Sequence, residues 1–135
     1  MNVTRIRVKG IGPIWIAKGP KGICKISFGG SKRKFLSEIE GNLDSENGTT
    51  FQKRVWRAIA TIPWGESRSY AWLARKAGRP KAIRATANAC GKNPLPLIIP
   101  CHRVIASDGS LGGFSGGVEI KKRLLKLEGT PYKEK

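Results

Sequence analysis

The residues best suited to chemistry are a cysteine and the only histidine of the chain, which are neighbours at Cys101 and His102. They follow residues 93–100, where three prolines fix their own φ angles and favour extended backbone in the residue before each. A cysteine held on stiff backbone could act as a nucleophile, because its reactive form is the thiolate. A neighbouring imidazole, or a cation such as Arg103, would raise the thiolate population at neutral pH.

The pair alone does not decide between chemistry and packing. Free cysteines are commonly small buried hydrophobes, and single histidines are commonly packed or surface residues. In an extended strand adjacent side chains point to opposite faces, so Cys101 and His102 could cooperate only if the chain turns there or a water molecule joins them. A zinc site would need Cys24 and Cys90 as well, but the four residues lack a chelating pair of familiar spacing, and we expect no metal.

The charge of the chain points to a polyanionic partner. Its 135 residues carry 26 lysines and arginines against 9 acids, a net charge of +17. This favours nucleic acid, because neutralising phosphates releases counterions, and an acidic membrane surface is the competing interpretation. No apolar run approaches the roughly 20 residues that span a bilayer, and an odd number of cysteines without a close pair fits a reducing compartment. We therefore expect a soluble protein of the cytoplasm, or of the nucleus in a eukaryote.

The amino-terminal part predicts a small antiparallel sheet that leans on the rest of the protein. Short runs of β-branched and aromatic residues alternate there with Gly-Pro and Gly-Gly breakers. The strands are expected at residues 3–8, 14–16 and 23–28. A short helix over Lys34–Ile39 and a polar linker follow. We place the domain boundary in this linker, so that residues 1–48 form a reduced sheet domain with its linker and residues 49–135 form the second domain.

The second domain should be mostly helical. Apolar residues at helical spacing predict a helix over residues 51–60, with Thr49 or Thr50 as its N-cap. Residues 69–78 and 81–91 predict two further helices joined by Gly-Arg-Pro, which is typical of a helix-turn-helix. The second of these is rich in alanine and could approach a partner closely, although small residues also simply let helices pack.

The last part combines a glycine-rich loop with an amphipathic helix. Five of the eleven residues in 107–117 are glycine, but no phosphate-binding fingerprint is present, so a surface turn is the plainer interpretation. Apolar spacing predicts a helix over residues 118–129 that a final glycine caps. We interpret the basic run 121–123 as a solvated face. Glu128 opposes the helix dipole and would make sense if it held a cation such as protonated His102.

The order of these features is shared with one protein family. The motifs that carry the resemblance are Phe51-Gln52, Val55-Trp56, Ile62-Pro63, Ser69-Tyr70, Arg84-Ala85, Asn93-Pro94, Pro100-Cys101-His102-Arg103-Val104, Asp108-Gly109, Leu111-Gly112-Gly113, Ser115-Gly116-Gly117 and Glu128-Gly129. Over residues 51–129 the chain resembles the DNA-binding and catalytic domain of the O6-alkylguanine-DNA alkyltransferases. The expected fold is α+β, with a small amino-terminal antiparallel β region and a mostly helical carboxy-terminal domain that carries a winged helix-turn-helix-like DNA-binding motif.

The resemblance implies DNA repair by a single-use methyltransferase. Members bind double-stranded DNA in the minor groove, flip out an O6-alkylguanine and move its alkyl group, typically methyl, to a cysteine, here Cys101. The resemblance also implies that His102 takes the thiol proton through a water molecule, that Glu128 orients His102, and that Asn93 braces the active-site turn. It implies no cofactor and a monomer, with cooperative binding to DNA left open.

The same resemblance implies contacts with the lesion and with the duplex. Tyr70 would donate to the flipped guanine and crowd the neighbouring phosphate. The backbone near Cys101 and Val104 would read the exocyclic amine, and the loop with Ser115 would donate to the O6 oxygen. On the duplex Arg84 would fill the vacated stack, while a small-residue helix enters the minor groove. The groove-facing residues of that helix are Ala85, Ala87 and Ala89.

The sequence departs from the family pattern in two respects. Phe114, at the substrate pocket, stands where many members have a tyrosine, so a hydroxyl that could help to protonate the leaving guanine is missing. The amino-terminal region is short and lacks the zinc ligands of larger members.

Other classes of protein compete with this family. Alkyltransferase-like proteins bind the lesion without transfer, but they typically replace the cysteine. A transcription regulator would want long polar side chains on its second helix, and a cysteine hydrolase could not cleave a thioether.

Overall fold

A three-stranded antiparallel sheet forms most of the amino-terminal part of the protein. The computed structural model describes residues 2–41, 49–114 and 116–133. The strands of the sheet are β1 (Asn2–Val8), β2 (Gly12–Gly19) and β3 (Gly22–Phe28). Each strand pairs with the next one along the chain, which confirms the predicted meander. The middle strand is longer than expected, because its pairing with β1 continues to Lys18 and its pairing with β3 continues to Gly19.

One face of this sheet packs against the rest of the chain. Ile14 and Ile26 form a buried cluster with Leu124 of the last helix. The backbone N–H of Ile26 also donates to the carbonyl oxygen of Pro94 at 2.9 Å. Three short strands bury too little apolar surface to be stable alone. The shared core therefore stabilises the sheet, which was predicted to lean on the rest of the protein.

The other face is covered by α1 (Lys32–Gly41), which extends beyond the predicted helix at both ends. Its Phe35 is buried with Trp15 and Ala17, and the rings of Trp15 and Phe35 lie 6.1 Å apart. Most of the predicted linker falls on residues 42–48, which lie outside the described residues. The division of the chain at residue 49 therefore stays a prediction.

Three helices form the core of the second part, as predicted. They pack against one another around a cluster that includes Val55 and Leu73. The third begins two residues later than expected, because residues 79–82 form a turn in which the N–H of Ala82 donates to the carbonyl of Arg79 at 2.9 Å. The helix-turn-helix-like character of the last two stays a prediction. The helices are α2 (Thr50–Ala60), α3 (Tyr70–Lys76) and α4 (Ile83–Gly91).

The proline-rich residues 93–100 form a compact turn rather than an extended run. The backbone N–H of Ile99 donates to the carbonyl of Leu95 at 2.8 Å. Leu97 has a φ of +80°, a left-handed conformation that disfavours a leucine by about 1–2 kcal/mol. Prolines restrict themselves and the preceding residue only, so packing of Leu97 against the sheet cluster decides the turn. The segment is stiff through these contacts rather than through extended backbone.

The carboxy-terminal part brings the strand that follows Cys101–Arg103 beside α3. The short strands β4 (Arg68–Ser69) and β5 (Val104–Ile105) pair in parallel. Helix α5 (Val118–Leu127) follows, and Gly129 has a φ of +70°, as expected for a residue that terminates a helix. These elements confirm the α+β fold class. Within the described ranges no helix is long and apolar enough to cross a membrane.

Helix α2 starts with a capping box. The hydroxyl of Thr49 accepts from the backbone N–H of Gln52 at 3.0 Å, and the Gln52 side-chain oxygen accepts from the Thr49 N–H at 2.9 Å. This decides between the two threonines: Thr49 is the N-cap and Thr50 is the first helical residue. Two N–H groups that have no partner within the helix are thereby satisfied.

Replacing the two threonines separately tests this assignment. Thr49→Ala should lower the free energy of unfolding in urea by about 1 kcal/mol, because the N-cap acceptor is lost. Thr50→Ala, an equally exposed neighbour, should change it by less than about 0.5 kcal/mol. Equal losses for both variants would contradict the capping box.

Candidate active site

Cys101 and His102 lie on a turn of the backbone. With Arg103 they form one turn of 3₁₀ helix, in which the N–H of Val104 donates to the carbonyl of Cys101. Three residues per turn separate consecutive side chains by about 120° rather than by the 180° of a strand. Cys101 is 3% and His102 1% exposed. The turn meets the first of the two conditions under which the pair could cooperate.

Cys101 borders a cavity of about 270 Å³. It is lined by α3, α4, the active-site turn (Cys101–Arg103) and the glycine-rich loop, so four separate segments of the chain meet there. Two larger clefts, of about 560 and 450 Å³, contain neither Cys101 nor His102. The residues that line the smaller cavity are Tyr70, Ala87, Asn88, Cys90, Gly91, Cys101, Gly113 and Phe114.

The imidazole of His102 is hydrogen-bonded to a buried carboxylate. Its Nε2 lies 2.8 Å from Glu128 Oε2, and because a carboxylate only accepts, this network assigns the ring proton to Nε2. Nδ1 is then an acceptor, and among the described residues it has no hydrogen-bond partner. Burial lowers the pKa of His102, and the Glu128 hydrogen bond opposes this only in part. The imidazole is therefore neutral at neutral pH and can accept a proton at Nδ1.

Glu128 also binds Arg103. The guanidinium donates from Nε to Oε1 at 2.9 Å and from Nη2 to Oε2 at 3.0 Å. Burial disfavours the charge on Glu128, but the hydrogen bonds from Arg103 and His102 outweigh it and hold the pKa of this carboxyl below its usual range. Glu128 thus contacts His102, and the cation that it holds at the end of the helix is Arg103.

The thiol of Cys101 ionises more readily than an ordinary cysteine. A hydrogen bond with the thiol of Cys90 lowers its pKa most; burial opposes this, and the Asn93 amide and the Lys121 ammonium add to the lowering. The same hydrogen bond raises the pKa of Cys90, which therefore keeps its proton and donates. Sequence reasoning gave Cys90 no role, because no spacing signal tells which helical residue will face a turn formed later in the chain.

Asn93 links both ends of the turn that precedes Cys101. Its Nδ2 donates to the carbonyl of Ile99 at 2.7 Å, and its Oδ1 accepts from the N–H of Leu95 at 2.9 Å. These two bonds span the proline-rich segment. The geometry suits the bracing role, which stays a prediction.

Lys121 is buried, so the interpretation of run 121–123 as a solvated face is wrong for this residue. It is 0% exposed, and its ammonium donates to three backbone carbonyls. The sequence did contain a signal, because Lys121 lies one turn before Leu124 and Leu125 on the apolar face of α5. Burial lowers the pKa of Lys121 to about 8, so the ammonium remains mostly charged at neutral pH.

Two of the four predicted substrate-binding residues, Tyr70 and Phe114, line the cavity. The Tyr70 hydroxyl lies 3.4 Å from the carbonyl oxygen of Gly113, and burial raises its pKa, so it keeps its proton. Val104 is not among the described lining residues; its side chain belongs to the core and its carbonyl accepts from the buried lysine. Ser115 lies outside the described residues.

The glycine-rich loop closes on the ring of Tyr70. Gly112 has a φ of +70°, and a Cβ at this position would lie 3.0 Å from Tyr70 Cε2 and 3.2 Å from its hydroxyl oxygen. Any side chain would therefore push the tyrosine or the loop away. Close approach to the cavity wall accounts for glycine here without a phosphate ligand.

The predicted DNA-binding residues of α4 divide between surface and core. Arg84 and Ala85 are exposed, and Ala87 is half-buried at the cavity. Ala89 is 3% exposed, and its carbonyl accepts from Trp56 Nε1 at 2.9 Å. Its small side chain lets α4 approach α2, so the predicted contact between Ala89 and DNA is not carried further.

This arrangement can support nucleophilic chemistry at Cys101. Fold and site together therefore define a class of protein with a reactive cysteine beside a helix of small residues. Comparison with known families is more specific. Residues 50–130 match the family described as 6-O-methylguanine DNA methyltransferase, DNA binding domain. The chain belongs to this family, and the resemblance inferred from its motifs is confirmed.

Two of the similar proteins cover nearly the whole chain, and a third covers a little more than half of it. A methylated-DNA–protein-cysteine methyltransferase of Methanosarcina barkeri is 42% identical over 87% of this chain and 91% of its own. The crystal structure of Mycobacterium tuberculosis OGT in complex with DNA is similar with a TM-score of 0.77 and 33% identity, over 93% of this chain and 91% of its own. S. pombe Atl1, solved with damaged DNA containing O6-carboxymethylguanine, reaches a TM-score of 0.53 and 32% identity over 58% of this chain and 75% of its own.

Removing the second thiol tests its effect on the first. Cys90→Ala deletes the donor, so the pKa of Cys101 should rise and its alkylation by iodoacetamide at neutral pH should slow about tenfold, the effect of one pKa unit. Cys90→Ser keeps a donor and should stay close to wild type. Mass spectrometry of tryptic peptide 93–103, in which Cys101 is the only cysteine, measures the rate.

Cys24→Ala, in the sheet, is the matched control for that experiment. Cys90→Ala and Cys24→Ala should differ clearly in the pH profile of Cys101 alkylation. Superimposable profiles would show that the Cys90 thiol does not assist ionisation of Cys101.

The neutral state of the imidazole can be measured directly, because the ring resonances of the single histidine titrate alone in NMR spectra. The pKa of His102 should lie below the ordinary value of about 6.5, and Glu128→Gln should lower it further by removing the carboxylate charge. Glu119→Gln, which is exposed on α5, should leave it unchanged. A wild-type pKa at or above the ordinary value would refute the assignment. With the pKa of His102 lowered in the folded state, the unfolded chain binds this proton more readily. The free energy of unfolding should therefore fall as the pH falls below about 6.5.

Proposed function

We propose that this protein repairs DNA by moving an alkyl group, typically methyl, from the O6 oxygen of an alkylated guanine to Cys101. The observation that carries the proposal is the Cys101 thiol on the wall of a cavity, next to a neutral His102 whose Nε2 donates to Glu128. Family membership supports it, and relatives such as the Methanosarcina protein are named for transfer of a methyl group to a protein cysteine.

The transfer needs one proton to leave the thiol and one bond to exchange. His102 Nδ1 accepts the thiol proton through a water molecule, and Glu128 stabilises the imidazolium that forms. The thiolate of Cys101 then attacks the alkyl carbon, so that the S–C bond forms while the C–O6 bond breaks. The electron pair stays on the guanine, which takes up a proton. A thioether offers water no leaving group, so each protein molecule acts once.

Tyr70 is suited to assist the departing guanine. Its hydroxyl keeps its proton and borders the same cavity as the acceptor thiol. It can therefore donate a hydrogen bond to the flipped base as negative charge develops there. Phe114 offers an apolar wall instead of a second hydroxyl, so Tyr70 carries this role without a phenolic partner at position 114.

The duplex is bound along α4, because this helix borders the acceptor. Arg84 and Ala85 are exposed and Ala87 reaches the cavity, so the helix presents little bulk and one long cation. Small side chains suit a minor groove, and an arginine can fill the gap left by a flipped nucleotide. Flipping costs a few kcal/mol, and phosphate contacts by a chain of net charge +17 help to offset it.

A lesion sensor that binds without transfer is the second candidate. The similarity to S. pombe Atl1, which was solved with damaged DNA, is the observation behind it. The buried thiol and its proton acceptor argue against it, because binding alone needs neither a lowered thiol pKa nor a neutral imidazole beside it.

Intact mass separates the two candidates. The protein is mixed with excess duplex DNA that contains one O6-methylguanine. Wild type should gain the mass of one methyl group and no more, and peptide 93–103 should carry it. Cys101→Ala should gain none, while Cys90→Ala should still gain one methyl, more slowly.

The same experiment can also give results that contradict the proposal. Tight binding of the modified duplex in an anisotropy assay, with no mass gain at any time, would make the protein a sensor. A methyl group found on peptide 85–92, which carries Cys90, would move the acceptor to the other thiol.

A further inference from the structure

We infer that Cys90 is a resolving thiol for Cys101: when a hydroperoxide oxidises the acceptor thiol, the two cysteines join in a reversible disulfide at the cavity. The disulfide preserves a thiol that each protein molecule can use only once. Its formation needs no DNA, whereas its consequence for methyl transfer rests on the proposed function. The two residues come from separate segments, Cys90 from the last turn of α4 and Cys101 from the active-site turn.

The two cysteines meet at one buried cavity. Both are buried, both line the cavity of about 270 Å³, and their thiols are hydrogen-bonded to each other. A disulfide needs the two sulfur atoms at about 2.05 Å, and rotation of two side chains that are already in contact can supply this approach. The open space beside them admits an oxidant as small as hydrogen peroxide.

Hydrogen bonds also tie the backbones of the two cysteines together. The N–H of Asn93 donates to the carbonyl of Cys90 at 3.3 Å. Its side-chain Nδ2 donates to the carbonyl of Ile99 at 2.7 Å, and the same carbonyl accepts from the N–H of Cys101 at 2.7 Å. A disulfide tolerates only a narrow range of separations between its Cα atoms. The contacts of Asn93 keep this separation constant.

The oxidation balances with one molecule of peroxide. The thiolate of Cys101 attacks one oxygen, so that an S–O bond forms while the O–O bond breaks, and the departing hydroxide takes the former thiol proton to become water. Cys90 then loses its proton and attacks the sulfenic sulfur of Cys101. The S–S bond forms while the S–O bond breaks, and the hydroxyl group leaves with that proton as the second water. The two thiols lose two electrons, which the peroxide gains.

Oxidation of Cys101 removes what keeps Cys90 unreactive. The hydrogen bond with Cys101 is the largest cause of the raised pKa of Cys90, followed by burial and by the charge of Cys101. A sulfenic acid is neutral, so the effects of the thiolate end, while the Lys121 ammonium still favours ionisation of Cys90. The order of the two steps is therefore fixed: Cys101 reacts with the oxidant, and Cys90 becomes a nucleophile only afterwards.

Cys24 lies elsewhere in the fold and provides the matched control. Its thiol, on β3, donates to the carbonyl of Ala17 at 3.6 Å. It borders a different cleft, of about 450 Å³. A general sensitivity of the chain to peroxide would involve this thiol, whereas a resolving role is specific to Cys90.

Disulfide mapping by mass spectrometry tests the inference on the full-length chain without DNA. The protein is exposed to hydrogen peroxide, its remaining thiols are blocked with iodoacetamide, and it is digested with trypsin without a reductant. Wild type and Cys24→Ala should give peptide 85–92 joined to peptide 93–103, and the intact monomer should lose the mass of two hydrogen atoms. Cys90→Ser should instead accumulate sulfinic acid on peptide 93–103, because nothing resolves the sulfenic acid.

Recovery of methyl transfer measures the consequence of the disulfide. After the same exposure, dithiothreitol should return most of the activity that wild type and Cys24→Ala have lost, because thiols reduce disulfides. Cys90→Ser should recover less than about a tenth of its own activity before exposure, because sulfinic acid is not reduced by thiols. Circular dichroism and thermal unfolding check the fold of each variant, and Cys90→Ala takes the place of Cys90→Ser if the serine variant does not fold.

Other results overturn the inference. Sulfinic acid on Cys101 of wild type without the joined peptides would do so, and so would a link from peptide 93–103 to peptide 22–25, which carries Cys24. A link found only in covalent dimers would place the bond between two copies of the chain. Equal recovery of wild type and Cys90→Ser would show that Cys90 does not preserve the acceptor thiol. Failure of wild type to gain a methyl group before exposure would reject the proposed function instead, while the joined peptides would still report on Cys90.

Discussion

The buried contact of Glu128 with His102 and Arg103 is the constraint on which the rest of the site depends. It joins the active-site turn to the residue that ends α5, 26 positions further along the chain, and Arg103 extends it to the carbonyl of Ile62 behind α2. A buried charge is tolerated only when its partners satisfy it, and here two hydrogen bonds from Arg103 and one from His102 do so. The position of the imidazole next to Cys101 is fixed by these hydrogen bonds.

The groups around the cavity differ in how readily they lose a proton, and this difference is the chemical consequence of the arrangement. One small cavity brings together two thiols and a phenol, with a lysine ammonium behind its wall, yet only Cys101 has its pKa lowered among the thiols and the phenol. Cys90 and Tyr70 are pushed the other way, so both remain donors. A single nucleophile with protonated neighbours is the result, and it arises from burial and hydrogen bonding rather than from the residue types themselves.

Helix α4 serves two surfaces, which explains its small residues better than either use alone. Thr86, Ala89 and Cys90 face the interior, where α4 packs closely on α2. Arg84 and Ala85 face outward. The close packing needs small residues on the inner side, and a groove of DNA would need them on the outer side. Because the inner face also carries Cys90, the helix that would bind the duplex also contributes to the ionisation of the acceptor thiol.

The sequence by itself determined the α+β class, the sheet and the helices, because their apolar periodicity and breakers are local, and its Pro-Cys-His-Arg motif identified the family. Through that resemblance it also predicted that Cys101, His102, Glu128 and Asn93 belong to one site. Only the tertiary structure decided that Ala89 is internal and that Cys90 lies with Cys101 at one cavity, whereas the burial of Lys121 was already signalled by its place on the apolar face of α5. The physical reason is that burial and proton affinity depend on which elements pack together over long stretches of chain, and neither spacing nor residue type encodes that packing.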